Sequence, residues 1–143
     1  VYCYRIHTGS IPDVFRRRYQ YDYPDALDTD AMRRAAGYLT GTHDFTSFCG
    51  NRHFKKSAVR SIYEIRISRE ADILSIWYRG NGFLQNMVRI LTGTLIEVGR
   101  GERRPESMEE LLLAKDRSLA GYTAPPQGLM LMQVNYKKES LRP

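Results

Sequence analysis

The run from Gly80 to Gly99, Gly-Asn-Gly-Phe-Leu-Gln-Asn-Met-Val-Arg-Ile-Leu-Thr-Gly-Thr-Leu-Ile-Glu-Val-Gly, constrains the fold more than any other part of the chain. Its apolar residues recur at intervals of three and four, the period of a helix with one wide buried face. That period predicts a helix over 83–98, with Phe83, Leu84, Met87, Val88, Ile90, Leu91, Leu95 and Val98 toward a core. The remaining strip holds Gln85, Arg89, Thr92, Gly93 and Ile96. Asn81 and Gly82 stand where a cap and a flexible lead would precede the first turn. Arg89 is the only cation of this helix, and Gly93 lies one turn later. A glycine inside a helix costs about 1 kcal/mol relative to alanine, which is tolerated where another segment must come close. The stretch therefore reads as a core helix laid on a sheet. Its one arginine is either solvated, as arginines mostly are, or aimed at a specific partner.

The flanking sequence supplies the sheet. Residues 1–7 alternate as a strand, ended by Gly9, Ser10 and Pro12, and 12–24 is a basic, tyrosine-rich connection. Asp28 or Thr29 caps a short helix whose Met32, Ala35, Ala36 and Leu39 share a face, and Gly41 closes it. Residues 41–48 read as a packed turn, capped by Asp44 with Phe45 and Phe48 beneath. Residues 51–57 read as a mobile basic loop. Strands over 60–68 and 73–79 form a hairpin around 69–72. Tyr63, Ile65 and Ile67 line one side of the first, and Leu74, Ile76 and Tyr78 one face of the second. A helix over 105–115 carries the capping-box pair Ser107 and Glu110 and buries Leu111, Leu112 and Leu113. The last strand covers 129–136, with Leu131 alternating against Met130, Met132 and Val134, and a polar tail follows. The order predicts an α+β fold, a mixed or antiparallel sheet with helices packed on one face.

At 143 residues this is one domain or half of a larger one, and 42% hydrophobic residues suffice for a core. No apolar run reaches the roughly 18 residues of a membrane span, and the start has no signal-peptide pattern. Cys3 and Cys49 are too few for a disulfide framework and lack metal-ligand spacing, which fits a reducing cytoplasm. A net charge of +6 and a pI near 9.5 favour a polyanionic partner. The cations cluster at Arg16, Arg17 and Arg18, at Lys55 and Lys56, and from Arg100 to Arg104. The first cluster is interleaved with Tyr19, Tyr21 and Tyr23, and charge beside stacking surface suits RNA better than a membrane.

Two catalytic patterns can be set aside. His43, Asp44 and Ser47 contain the residue types of a hydrolytic triad, but such groups converge from separate elements and not from one short segment. Gly80 and Gly82 begin a dinucleotide-binding glycine pattern, but Gln85 replaces the third glycine and a hairpin precedes the helix.

Six segments taken together resemble the C-terminal half of the bacterial tRNA pseudouridine synthase A (TruA) family. They are Tyr2-Cys3-Tyr4-Arg5-Ile6; Gly41-Thr42-His43-Asp44-Phe45-Thr46-Ser47-Phe48; Asn81-Gly82-Phe83-Leu84-Gln85-Asn86-Met87-Val88-Arg89; Gly93-Thr94-Leu95-Ile96-Glu97-Val98-Gly99-Arg100-Gly101; Lys115-Asp116-Arg117; and Thr123-Ala124-Pro125 followed by Gly128-Leu129. They keep the family's order and spacing from Tyr2 to about Tyr136. The resemblance implies half of a pseudouridine synthase fold, acting without cofactor or metal on the tRNA anticodon stem-loop, in a cytoplasmic homodimer. It implies that Tyr2 stacks on the flipped uracil, that Arg89 pairs with the catalytic aspartate, and that Leu129 floors the pocket. Arg16, Arg17, Arg18, Lys55 and Lys56 are the candidates for RNA-backbone contacts.

The chain departs from the family at one decisive point. The family's aspartate sits in a Gly-Arg-Thr-Asp-Ala-Gly segment of the N-terminal half, and this sequence has no such segment. Asp13, Asp22, Asp25, Asp28, Asp30, Asp44, Asp72 and Asp116 all lie in other contexts. Gln85 also stands where the family often has an aromatic residue. The expectation is a C-terminal domain over 1–143, truncated or processed ahead of Val1 and inactive by itself. The alternative is a non-catalytic RNA-binding module with the same fold.

Overall fold

A computed structural model describes residues 1–9 and 19–132. The expected α+β architecture is present: a mixed six-stranded sheet with three α-helices. The strands are β1 (Tyr2–His7), β2 (Tyr21–Asp22), β3 (Gly41–Asp44), β4 (Val59–Glu70), β5 (Ile73–Gly80) and β6 (Leu129–Leu131). The helices are α1 (Thr29–Leu39), α2 (Met87–Gly99) and α3 (Ser107–Ala114).

Strand order is β2-β1-β5-β4-β3, and the outer edge of β1 is shared. Its first half pairs antiparallel with β6, Tyr2 opposite Leu131 and Tyr4 opposite Leu129. Its second half pairs parallel with β2, Ile6 opposite Tyr21. On the other edge β1 runs antiparallel to β5 over its whole length. Alternation along β1 and β5 turns Tyr4, Ile6, Leu74, Ile76 and Tyr78 into one core with the helices, each fully buried. α1 begins at the predicted cap, where the Asp28 carboxylate accepts from the Ala31 N–H at 3.1 Å.

α2 differs from its sequence reading in two respects. It starts at Met87, not at Phe83, because 84–87 close a separate turn in which the Met87 N–H donates to the Leu84 carbonyl at 3.0 Å. Asn86 holds the junction at φ 58°, a left-handed conformation that asparagine tolerates. Asn81 does not cap the helix; its side chain accepts from the Ser61 N–H across the hairpin. The apolar spacing of Phe83 and Leu84 runs through a turn that happens to keep the helical period. The helix also lacks a polar strip. Thr92, Gly93 and Ile96 are buried, and the Thr92 hydroxyl pairs with that of Tyr78 at 2.8 Å.

Other corrections are local. Residues 41–48 contain strand β3 and a 3-10 turn, and β2 lies in what reads as pure connection. A register shift between Ile62 and Glu64 is a bulge, which keeps Ile62 and Ile67 both buried and turns Tyr63 outward, 49% exposed. The capping box is not made: the Ser107 hydroxyl donates to the Arg104 carbonyl, and Leu113 is 76% exposed. The last strand is described only to Leu131, and 133–136 lie outside the described residues. Arg16, Arg17 and Arg18 also lie outside them. No helix among the described residues is long and apolar enough to cross a membrane.

Candidate active-site wall

Arg89 occupies the first turn of α2 and is half-buried. Its Nε–H donates to the Ala124 carbonyl at 2.7 Å, and its Nη1 donates to the Asn86 side-chain oxygen at 3.3 Å. The backbone returns the contact, since the Ala124 N–H donates to the Arg89 carbonyl at 3.0 Å. Among the described residues Arg89 has no carboxylate partner. The guanidinium is oriented by a backbone carbonyl and an amide oxygen, neither of which carries a compensating charge.

The segment carrying Ala124 is strapped over α2. The Gly121 N–H donates to the Thr94 hydroxyl at 3.0 Å, and the Tyr122 N–H to Glu97 at 3.3 Å. Arg117 fixes the same strap by donating to the Gly121 carbonyl at 2.9 Å and the Thr123 hydroxyl at 3.2 Å. Close approach is possible because residue 93 is glycine: a methyl there would overlap the Tyr122 carbonyl oxygen. This is the close neighbour expected from the mid-helix glycine, and it is backbone. From the sheet side, the Tyr4 hydroxyl donates to the Pro125 carbonyl at 2.6 Å. Burial pushes the Tyr4 phenol well above its ordinary range, so it remains a proton donor, with the nearby Arg89 charge opposing the shift only in part. Gly128 lies against that ring, and a β-carbon there would stand 2.6 Å from the Tyr4 Cζ.

Tyr2 and Leu129 are the other two residues singled out from the sequence. Tyr2 is half-buried on β1, with its ring edge-on to Phe83 at 5.3 Å between centroids. Leu129 pairs with Tyr4, and Tyr2 pairs with Leu131, so Tyr2 and Leu129 are diagonal neighbours on the same face of the sheet. The three residues singled out from the sequence are thus held by adjoining pieces of structure: the start of β1, the start of α2 and the strap running into β6. The sequence reading missed the residues that position Arg89, namely Asn86, Ala124 and, through Pro125, Tyr4. Their signal was available only as membership of the resembling segments, because each acts through a single backbone carbonyl, amide oxygen or hydroxyl.

The discarded hydrolytic pattern is structural. The His43 ring bonds the Thr40 carbonyl, and Asp44 accepts from the Thr46 N–H and hydroxyl. Ser47 is fully buried, donates to the Leu111 carbonyl and accepts from the Asp116 N–H. Lys55 and Lys56 are exposed in the loop between β3 and β4. Among the described residues no three His, Cys, Asp or Glu side chains are grouped to hold a metal ion.

A family described as tRNA pseudouridine synthase matches residues 35–137. tRNA pseudouridine synthase A 1 of Bacillus cereus is 50% identical over 135 residues, covering 94% of this chain and 55% of that protein. The tRNA pseudouridine synthase A of a Geobacillus species is 48% identical over 135 residues, 94% of this chain and 54% of its own length. That of Brevibacillus brevis is 47% identical over the same shares as the Bacillus cereus protein. The chain spans about half the length of the curated relatives it matches. With the match running from the middle of α1 through the strap to beyond β6, the chain belongs to the tRNA pseudouridine synthase family.

Proposed function

We propose that this chain is the C-terminal domain of a tRNA pseudouridine synthase, and that the half bearing the nucleophilic aspartate is supplied by protein outside this sequence. The complete enzyme isomerises uridine to pseudouridine in the tRNA anticodon stem-loop. In that reaction the N1–C1′ bond breaks, the uracil turns, and a C5–C1′ bond forms. The C5 proton is removed and N1 ends protonated, so atoms and electrons balance without a cofactor or metal. Arg89 keeps the incoming aspartate ionised and oriented, since an opposite charge within hydrogen-bond reach favours the carboxylate and a guanidinium can bind it through two N–H groups. Tyr2 offers the extruded base a stacking surface worth about 1–3 kcal/mol and stands as the candidate to take the C5 proton. Leu129 closes the pocket from below. Arg16, Arg17, Arg18, Lys55 and Lys56 contact the RNA backbone.

The observation that carries this reading is the anchored, unpaired Arg89. Its Nε and Nη1 are bound to Ala124 and Asn86, and its Nη2 has no partner among the described residues. A cation held half-buried in this way is prepared for an anion that the described residues do not provide. The test is Arg89→Ala in the full-length protein, with turnover followed as tritium release from tRNA carrying C5-tritiated uridine. Loss of a preorganised charge predicts a fall of about 10²–10³-fold or more, with tRNA affinity little changed. Retained turnover in Arg89→Ala would remove the arginine from the mechanism, and a full-length protein that binds tRNA without turnover would restore the binding-module reading. The same proposal makes the full-length protein a cytoplasmic homodimer, and a monomer mass by light scattering would argue against the dimer.

A further inference from the structure

An open depression of about 660 Å³ lies between the loop joining β3 to β4 and the segment that follows α3. It gathers basic residues from two segments, of which only Arg117 takes part in the active-site wall. Arg52 and Lys56 come from the first segment, and Lys115 and Arg117 from the second. Phe54, half-buried, and Cys49 add apolar surface to its lining.

The charges in this depression are unequally committed. Arg52 and Lys56 are exposed and have no hydrogen-bond or ion-pair partner among the described residues. Lys115 is also exposed, and its nearest carboxylate, Asp44, stands 3.9 Å away. The two acidic residues in the lining are turned onto their own backbones. Asp44 accepts from the Thr46 N–H and hydroxyl, and Asp116 from the Ser118 N–H at 2.9 Å and hydroxyl at 2.7 Å. These bonds, joined at Asp44 by the charge of Lys115, hold both carboxyls below their ordinary range. Two unpartnered cations, Arg52 and Lys56, and a third, Lys115, only loosely paired with Asp44 therefore face one concavity, an arrangement that favours a polyanion.

The depression adjoins the active-site wall on both of its sides. The Gly50 N–H donates to the Gln85 carbonyl at 2.8 Å, and Gly50 lies against Asn86, the residue that holds Arg89 Nη1. Arg117, on the opposite side, bonds the strap at Gly121 and Thr123, next to the Ala124 that holds Arg89 Nε. The depression is thus joined to both residues that hold Arg89, and a strand engaged at Arg89 would bring backbone phosphates to this neighbourhood. Guanidinium and ammonium groups are the ordinary ligands of such phosphates.

We propose that this depression binds the sugar–phosphate backbone of the RNA strand flanking the nucleotide held at Arg89, with Arg52, Lys56 and Lys115 as phosphate ligands. The inference rests on the RNA-directed reading above and adds a second subsite to it. The test is the double variant Arg52→Gln/Lys56→Gln. Its binding to a fluorescein-labelled RNA stem-loop is followed by fluorescence anisotropy over a series of salt concentrations. Losing two phosphate contacts should lower the magnitude of the slope of log affinity against log salt by about 1.4–1.8. Affinity should fall alike for unrelated stem-loop sequences, since phosphates carry no base information. Arg34→Gln/Arg69→Gln removes the same charge from exposed positions outside the depression and should leave the slope intact. Equal slopes for the two double variants, or an unchanged slope in Arg52→Gln/Lys56→Gln, would overturn the subsite while leaving the RNA reading standing. A parent chain that binds no RNA at low salt would overturn both. All four substitutions are at exposed side chains, and equal thermal midpoints establish that the comparison is between folded proteins.

Discussion

Gly37 and Gly93 each lie in the interior of a helix, and the structure predicts opposite outcomes for the same substitution. Gly37 is in α1, and a methyl group added there meets nothing within 4 Å. Gly37→Ala should stabilise by about 0.5–1 kcal/mol, through helix propensity and a less flexible unfolded chain. Gly93 is in the middle of α2, where the methyl would overlap the Tyr122 carbonyl oxygen. No rotamer change can relieve this, because the obstacle is backbone. The strap that would have to move is bonded to Thr94, Glu97 and Arg89. The overlap belongs at the upper end of the roughly 1–3 kcal/mol that overpacking costs. Subtracting about 1 kcal/mol gained by removing a helical glycine leaves a net loss of about 2 kcal/mol. Urea unfolding followed by far-UV circular dichroism reads both. With a slope near 2 kcal/mol/M, the midpoint should rise by about 0.3–0.5 M in Gly37→Ala and fall by about 1 M in Gly93→Ala. A Gly93→Ala variant as stable as the parent would refute the account of the strap, and with it the anchoring of Arg89 through Ala124.

The same unfolding assay checks three further substitutions. Tyr4→Phe keeps the ring against Gly128 but strips the Pro125 carbonyl of its donor, a loss of about 1–2 kcal/mol. Tyr78→Phe should lose less, about 0.5 kcal/mol, because the Thr92 hydroxyl still donates to the Val88 carbonyl at 2.8 Å. Ser47→Ala leaves the Leu111 carbonyl and the Asp116 N–H without their partner and should lose about 2 kcal/mol or more. Hydrolysis of p-nitrophenyl acetate should stay at the buffer rate in parent and variant, and a serine-dependent esterase rate would revive the discarded triad. The Asp44 carboxyl is held below its ordinary 3.8, first by the Thr46 hydroxyl and then, against some burial, by the Thr46 N–H and Lys115. A depressed folded-state value contributes stability above pH 3.8 that is lost as pH falls through the folded-state value. The advantage of the parent over Asp44→Asn should therefore be present at neutral pH and shrink in acid, and a difference independent of pH would contradict it.

How much of the molecule is legible in its sequence depends on the range of the interaction. The hairpin of β4 and β5, the cap of α1 at Asp28 and the turn at Asp44 were readable because each is made by residues close in the chain. Arg89 was readable as unusual, being the only cation in an otherwise apolar helix, and the resembling segments marked Tyr2 and Leu129 beside it. The start of α2 was misread because a turn containing Leu84 satisfied the same spacing as one more helical turn. β2 and β3 were missed because strands of two and four residues carry too little alternation to stand out, and they exist by pairing with β1 and β4.

The sequence by itself determined the class of fold, the helix at its centre and the basic character that favours a polyanion. These follow from periodicity, composition and local turn chemistry, which consecutive residues set without knowledge of their distant neighbours. Only the tertiary structure showed how Arg89 is held. Its anchor at Ala124 is 35 residues away, and the hydroxyl that steadies the next carbonyl, at Pro125, comes from Tyr4, 121 residues away. The depression that joins Arg52 and Lys56 to Lys115 is likewise made by segments far apart in the chain. Contacts of that range leave no period in a sequence. They are selected by which backbones come close, and here a glycine at position 93 allows that approach.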